Sequence, residues 1–158
     1  MSVILSERTL RLHIPMTQSE NSGAAILQTQ AAGRGFIAFA ALSGAVSVIA
    51  GSVSAHGLDP VAEAKEIGWL QIGSQYAAIH ALAMLAVACL AGMGRLRAGP
   101  ALAAQWLFLV GGVLFPGALY SLALHGPRLL GAVPPIGGTA FILGWLMVAT
   151  GALTRPAS

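Results

Sequence analysis

Few side chains in this sequence can do chemistry, and most of them are histidines. His80 sits in a long uncharged stretch, with Tyr76 four residues before it and so on the same face of any helix. Imidazole titrates near neutral pH and is a versatile metal ligand. An ionisable group inside a membrane is costly, which makes it a site hypothesis by default. Tyr76 and His80 are therefore the candidate polar site within the membrane, with the Tyr76 hydroxyl as a hydrogen-bonding group. His56, Asp59 and His125 form a second candidate, a polar cluster on the outer side, since each lies at the end of an apolar run. Together with Glu63 and Glu66 they are the donor types of a metal, haem or proton site. None of the histidine pairs has the tight spacing of a metal motif. The simpler reading is that His80 bonds Tyr76 or a neighbouring helix while His56 and His125 cap helix ends. On that reading no metal and no cofactor is expected. No nucleophile, base and orienter stand together, so no catalytic residue is assigned and the chain is read as a non-enzyme. The stretch Ile136-Gly137-Gly138-Thr139 lacks the lysine of a phosphate-binding loop.

Apolar helices must position these groups. The chain has 158 residues, 56% hydrophobic and 8% charged, with a net charge of +3. Soluble domains carry roughly 25% charged residues, and disorder needs low hydrophobicity with high charge. Both classes are excluded. The basic residues are scattered and form no stripe, which excludes a nucleic-acid partner. A single cysteine, Cys89, excludes a disulfide framework. Four uncharged stretches reach the ~20 residues that a membrane helix needs, at about 36–55, 72–91, 102–124 and 134–153. They lack the alternation of a membrane barrel. The expected fold is all-α, an integral membrane four-helix bundle over residues 34–155. Residues 1–33 are expected to be a polar N-terminal extension, flexible or interfacial, in which Val3, Ile4, Leu5, Leu10, Leu12 and Ile14 offer a weak interfacial helix.

Arginine placement sets direction. Arg34, Arg95, Arg97 and Arg155 fall on one side of such a bundle, and Lys65 and Arg128 on the other with Asp59, Glu63 and Glu66. The positive-inside rule then puts both termini in the cytoplasm. Arg34, the following apolar run and Val53-Ser54-Ala55 resemble a signal peptide. The run is longer than the usual ~7–15 residues of such a segment, so an uncleaved helix is predicted. Trp69 and Trp106 fall near the expected interfaces, whereas Trp145 lies mid-span and is expected inside the bundle. Asp59-Pro60 reads as an N-cap and first helical residue, opening a short surface helix over 61–67.

Apolar burial cannot hold helices together in lipid, so close backbone approach and interhelical hydrogen bonds must do so. Ser43, Ser47, Gly51 and Ala55 recur every four residues in the first span. Gly137, Gly144 and Gly151 recur every seven in the fourth. Both series are predicted packing seams that a leucine at Gly51 or Gly144 would disrupt. Pro116 in the third span removes a backbone donor and crowds the carbonyl of Gly112, so a kink is predicted there.

Four stretches resemble elements of a known family. Ser54-Ala55-His56-Gly57-Leu58 is similar to its GAHGL element, and YAAIHAL at 76–82 to its Y-x-x-x-HAL element. FPGALYSLAL at 115–124 is similar to FSGSLYxLAL, and PIGGTAFILGW at 135–145 to PIGGxxFxxGW. The family is the domain-of-unknown-function family of small membrane proteins that includes YgdD-like bacterial inner-membrane proteins. The resemblance covers residues 36–153 and implies four membrane helices, an inner-membrane location and no established activity. Pro116 stands where that pattern has Ser, so no role for a hydroxyl carries over.

The expected function is that of a non-enzymatic accessory or scaffold component of a membrane protein complex. Its expected partners are the lipid bilayer and either other membrane proteins or further copies of itself. One alternative is a small transporter or proton-linked channel with a polar site around His80. The other is a membrane redox or metal-binding protein using the outer-side histidines.

Overall fold

A computed structural model describes the backbone of residues 16–154, and side chains from residue 33 onward. The elements are α1 (Met16–His56), α2 (Ala64–Gly92), α3 (Ala98–Ala123) and α4 (Pro134–Leu153), with a 3₁₀ turn at Arg128–Ala132 before α4. Among the described residues there is no strand. The weak interfacial helix expected over residues 3–14 lies outside the described residues, as does Arg155. The chain divides into two compact units, Met1–Arg34 and Gly35–Ser158, and the bundle is the second. Four helical segments are long and apolar enough to cross a membrane: Gly33–His56, Ala64–Gly92, Ala98–Ala123 and Arg128–Leu153.

α3 is the central helix and packs along both α2 and α4. α1 reaches it through Phe36, whose ring meets Trp106 edge-on at 5.1 Å. The interior is mostly alanine with a few large rings. Ala40, Ala77, Ala104 and Ala140 are buried, and Phe108 is fully enclosed. Leu42, Val48, Leu82 and Ile142 face outward. Such an inverted distribution suits a lipid solvent, where small residues let backbones approach and large apolar ones meet acyl chains. α3 runs unbroken through Pro116, which is buried.

The seam on α1 differs from a strict four-residue series. Its buried positions are Phe36, Ala40, Ser47, Ala50 and Ser54, while Ala55 is exposed. A four-residue step turns the helix about 400°, so each step drifts about 40° from the face it began on. Alternating steps of three and four stay on one face. Ser47 and Ser54 satisfy their hydroxyls within the helix, donating to the carbonyls of Gly44 and Gly51 at 2.7 Å.

The helix ends follow from local chemistry. Asp59 caps a single turn, its Oδ1 accepting from the amides of Val61 (2.8 Å) and Ala62 (2.9 Å). The amide of Asp59 donates in return to Glu63 Oε2 at 2.9 Å. The backbone bonds from Ala62 and then Val61 hold the Asp59 carboxyl below the usual carboxylate range. In place of a separate surface helix over 61–67, this turn leads directly into α2, so Lys65 and Glu66 ride on α2.

α2 and α3 end in the same motif. After α2, Gly94 is left-handed (φ 69), with Gly94 N donating to Ala91 O and Arg95 N to Leu90 O. After α3, His125 takes that position (φ 61), with His125 N donating to Leu122 O and Gly126 N to Ser121 O. This is the Schellman arrangement, in which glycine is the usual left-handed residue. A side chain there costs about 1–2 kcal/mol. His125→Gly is therefore expected to raise the thermal midpoint in detergent and His125→Val to lower it, as an unfolding series on both variants would report.

Candidate functional site

Five aromatic side chains and His80 converge at mid-bundle. α2 supplies Tyr76 and His80, α3 supplies Phe108 and Phe115, and α4 supplies Phe141 and Trp145. The His80 ring lies flat against Phe141, centroids 3.4 Å apart and planes 8° apart. Phe108 stands 5.6 Å from His80 and 5.4 Å from Trp145. Tyr76 packs on Phe115 at 4.7 Å. His80 itself is 5% exposed.

Both imidazole nitrogens are engaged. Nδ1 lies 2.8 Å from the backbone carbonyl of Tyr76, and Trp145 Nε1 donates to Nε2 at 3.3 Å. Since Nε2 accepts, the proton sits on Nδ1 and goes to the Tyr76 carbonyl. That is one neutral tautomer with each nitrogen satisfied. The hydrogen bond between Tyr76 and His80 thus runs through the Tyr76 backbone rather than its hydroxyl, while the two rings stack 5.9 Å apart. Trp145 is 47% exposed: its N–H edge bonds His80 and its ring meets buried Phe108, while about half of the residue stays accessible at the surface. It is therefore only partly inside, because its bonding atom is at one edge of a large ring.

Glycines make room for these rings. A Cβ on Gly144 would lie 2.5 Å from Phe108, and one on Gly111 would lie 2.5 Å from Phe141. On Gly137 it would meet the Phe115 backbone nitrogen at 2.6 Å, and on Gly73 the Tyr120 ring at 2.6 Å. Gly151 is looser, 3.3 Å from Pro100. Gly51 has only Ser74 Oγ at 3.8 Å. The α4 series is thus a row of notches filled by α3, whereas Gly51 lies in ordinary contact.

Two buried polar groups escaped the sequence reading. Gln105 is 6% exposed and donates from Nε2 to Met84 O at 2.8 Å, tying α3 to α2. Its Oε1 and the Tyr120 hydroxyl have no partner among the described residues. The visible signal for Gln105 was an amide within an apolar run. Tyr120 also borders an apolar groove of about 370 Å³ with Phe39, Ser43, Gly112 and Pro116.

His56, Asp59 and His125 share one end of the bundle. Asp59 is committed to its turn and His125 to the end of α3, and all three are exposed. Among the described residues, no group of three or more His, Cys, Asp or Glu side chains is arranged to hold a metal ion.

These features define a small four-span α-helical membrane protein whose buried mid-bundle histidine is bonded within the bundle. A family model described as "Protein of unknown function (DUF423)" matches residues 50–138. The chain is 41% identical over 120 residues to the UPF0382 inner membrane protein YgdD of Escherichia coli K12, covering 76% of this chain and 90% of that one. It is 37% identical over 116 residues to a UPF0382 membrane protein of Haemophilus influenzae, covering 73% and 91%. It is 38% identical over 122 residues to the UPF0382 membrane protein YwdK of Bacillus subtilis, covering 75% and 95%. No solved structure matches it. The chain belongs to this DUF423 (UPF0382) family and is a multi-pass inner-membrane protein.

Proposed function

We propose that this protein is a non-enzymatic accessory component of a membrane assembly, with both termini in the cytoplasm. The engagement of His80 carries the reading. A metal-binding imidazole must present a free nitrogen and a proton-relaying one needs partners that exchange protons, whereas both nitrogens here are bonded within the bundle, to a backbone carbonyl and an indole N–H. The cluster then acts as a polar staple that fixes the register of α2 against α4. The outward surface is apolar along the spans and suited to neighbouring helices or lipid. Orientation rests on Arg34, Arg95 and Arg97 at one end, against Lys65 and Arg128 with three carboxylates at the other.

Gentle native purification followed by mass spectrometry tests this role. A reproducible stoichiometric membrane-protein partner is the expected result. Recovery of the free protein alone, from membranes solubilised in several mild detergents, would remove the reading.

A further inference from the structure

The end of the bundle that carries His125 holds a cavity of about 670 Å³ between the first turns of α2 and the α3–α4 connection. Its lining includes Lys65, Glu66, Trp69, Leu122, His125 and Arg128. We propose that this cavity is a headgroup site for an anionic phospholipid, with Lys65 and Arg128 holding its single phosphodiester. The inference is independent of the accessory role and of the orientation of the bundle.

Charge, placement and shape each support it. The formal charges of Lys65, Arg128 and Glu66 in the lining sum to +1, which one phosphodiester balances. Arg recognises phosphate through a planar fork of donors, and Lys through a compact charge. The Lys65 ammonium is held 4.8 Å above the Trp69 ring, so it is positioned before a ligand arrives. Trp69 lies at the end of a span, the depth at which tryptophans meet lipid headgroups. The neighbouring residues favour a lipid over a free anion. Leu124 and Leu129, which flank the connection bearing His125 and Arg128, are 76% and 88% exposed. With Leu122 in the lining itself, they put apolar surface beside the two cations, which acyl chains can cover and a soluble anion would not use.

The test is a thermal-shift titration of the full-length protein in an uncharged detergent. The probes are phosphatidylglycerol, diacylglycerol of the same chains, and glycerol phosphate. Phosphatidylglycerol is expected to raise the melting temperature, diacylglycerol to leave it unchanged, and glycerol phosphate to act only at far higher concentration. Lys65→Gln with Arg128→Gln should shift the phosphatidylglycerol midpoint about tenfold or more, as the loss of charge-assisted hydrogen bonds implies. Both side chains are exposed, so the ligand-free melting temperature should stay at the wild-type value. Glu66→Gln should lower the midpoint several-fold by removing a like charge, a gain that a purely structural role does not give. Equal stabilisation by diacylglycerol would overturn the proposal in favour of acyl-chain contact alone. Equal potency of glycerol phosphate would overturn it in favour of a soluble anion. An unchanged midpoint in the double variant would remove the site altogether.

Discussion

Gly137→Ala is expected to destabilise the bundle more than the same change at any other seam glycine. The added methyl would fall 2.6 Å from the Phe115 amide nitrogen and 2.8 Å from its Cβ. Backbone cannot swing aside as a side chain can, so α4 must move off α3. Overpacking of this kind costs about 1–3 kcal/mol, and the upper part of that range applies here. At Gly144 the obstacle is the Phe108 ring, 2.5 Å from the new methyl. That ring is fully enclosed and contacts Trp145, so Gly144→Ala should also lower the melting temperature, and Gly144→Leu should prevent α4 from seating. Gly51→Ala is the contrasting case. Its methyl would find only Ser74 Oγ at 3.8 Å, and the change should stay within about 0.5 kcal/mol of wild type. Thermal unfolding of the three alanine variants in one detergent checks the order. Equal melting temperatures at Gly137 and Gly51 would show that close approach of α3 and α4 is not what holds the bundle.

His80→Ala should have the other large effect. It removes the acceptor for the Trp145 indole N–H and the ring that lies against Phe141. The loss of interhelical hydrogen bonding is worth about 0.6–2 kcal/mol in membranes. A cavity beside enclosed rings brings the total to about 2–4 kcal/mol. Because the bond is specific, His80→Ala and Trp145→Phe should be non-additive. Once either partner is gone, removing the second costs less, and a double-mutant cycle should return a coupling of about 0.6–1.7 kcal/mol. A coupling near zero would mean that the indole and imidazole are neighbours without a bond. Under the staple reading, Tyr76→Phe should leave stability near wild type, because His80 bonds the Tyr76 carbonyl, which that substitution keeps.

The resemblance noted in the sequence gains a physical meaning from these contacts. Tyr76 and His80 come from one family-like stretch, Phe115 from a second, and Phe141, Gly144 and Trp145 from a third. Far apart in the chain, they meet in one cluster at the centre of the bundle. Pro116 lies in the middle stretch, yet it faces the apolar groove with Gly112 and Phe39.

By itself the sequence determined the solvent and the spans. Charge content and unbroken apolar runs are properties of the chain alone, because about 20 consecutive uncharged apolar residues can cross hydrocarbon whatever they pack against. The Gly137–Gly144–Gly151 seam was legible for the same kind of reason, since a seven-residue repeat stays on one helix face whatever it packs against. Span starts were less legible. The polar Lys65 and Glu66 mask the first turns of α2, which a composition threshold leaves out. Only the tertiary structure decided what His80 does. Its partner Trp145 is 65 residues away, and no local spacing encodes a bond between two helices. It alone also separated Gly144 from Gly51, identical in type and differing only in whether a ring from another helix occupies the space. The same holds for Lys65 and Arg128, which sequence reading treats as two weak topology signals. Folding brings them to one cavity, because α2 begins where α3 turns into α4.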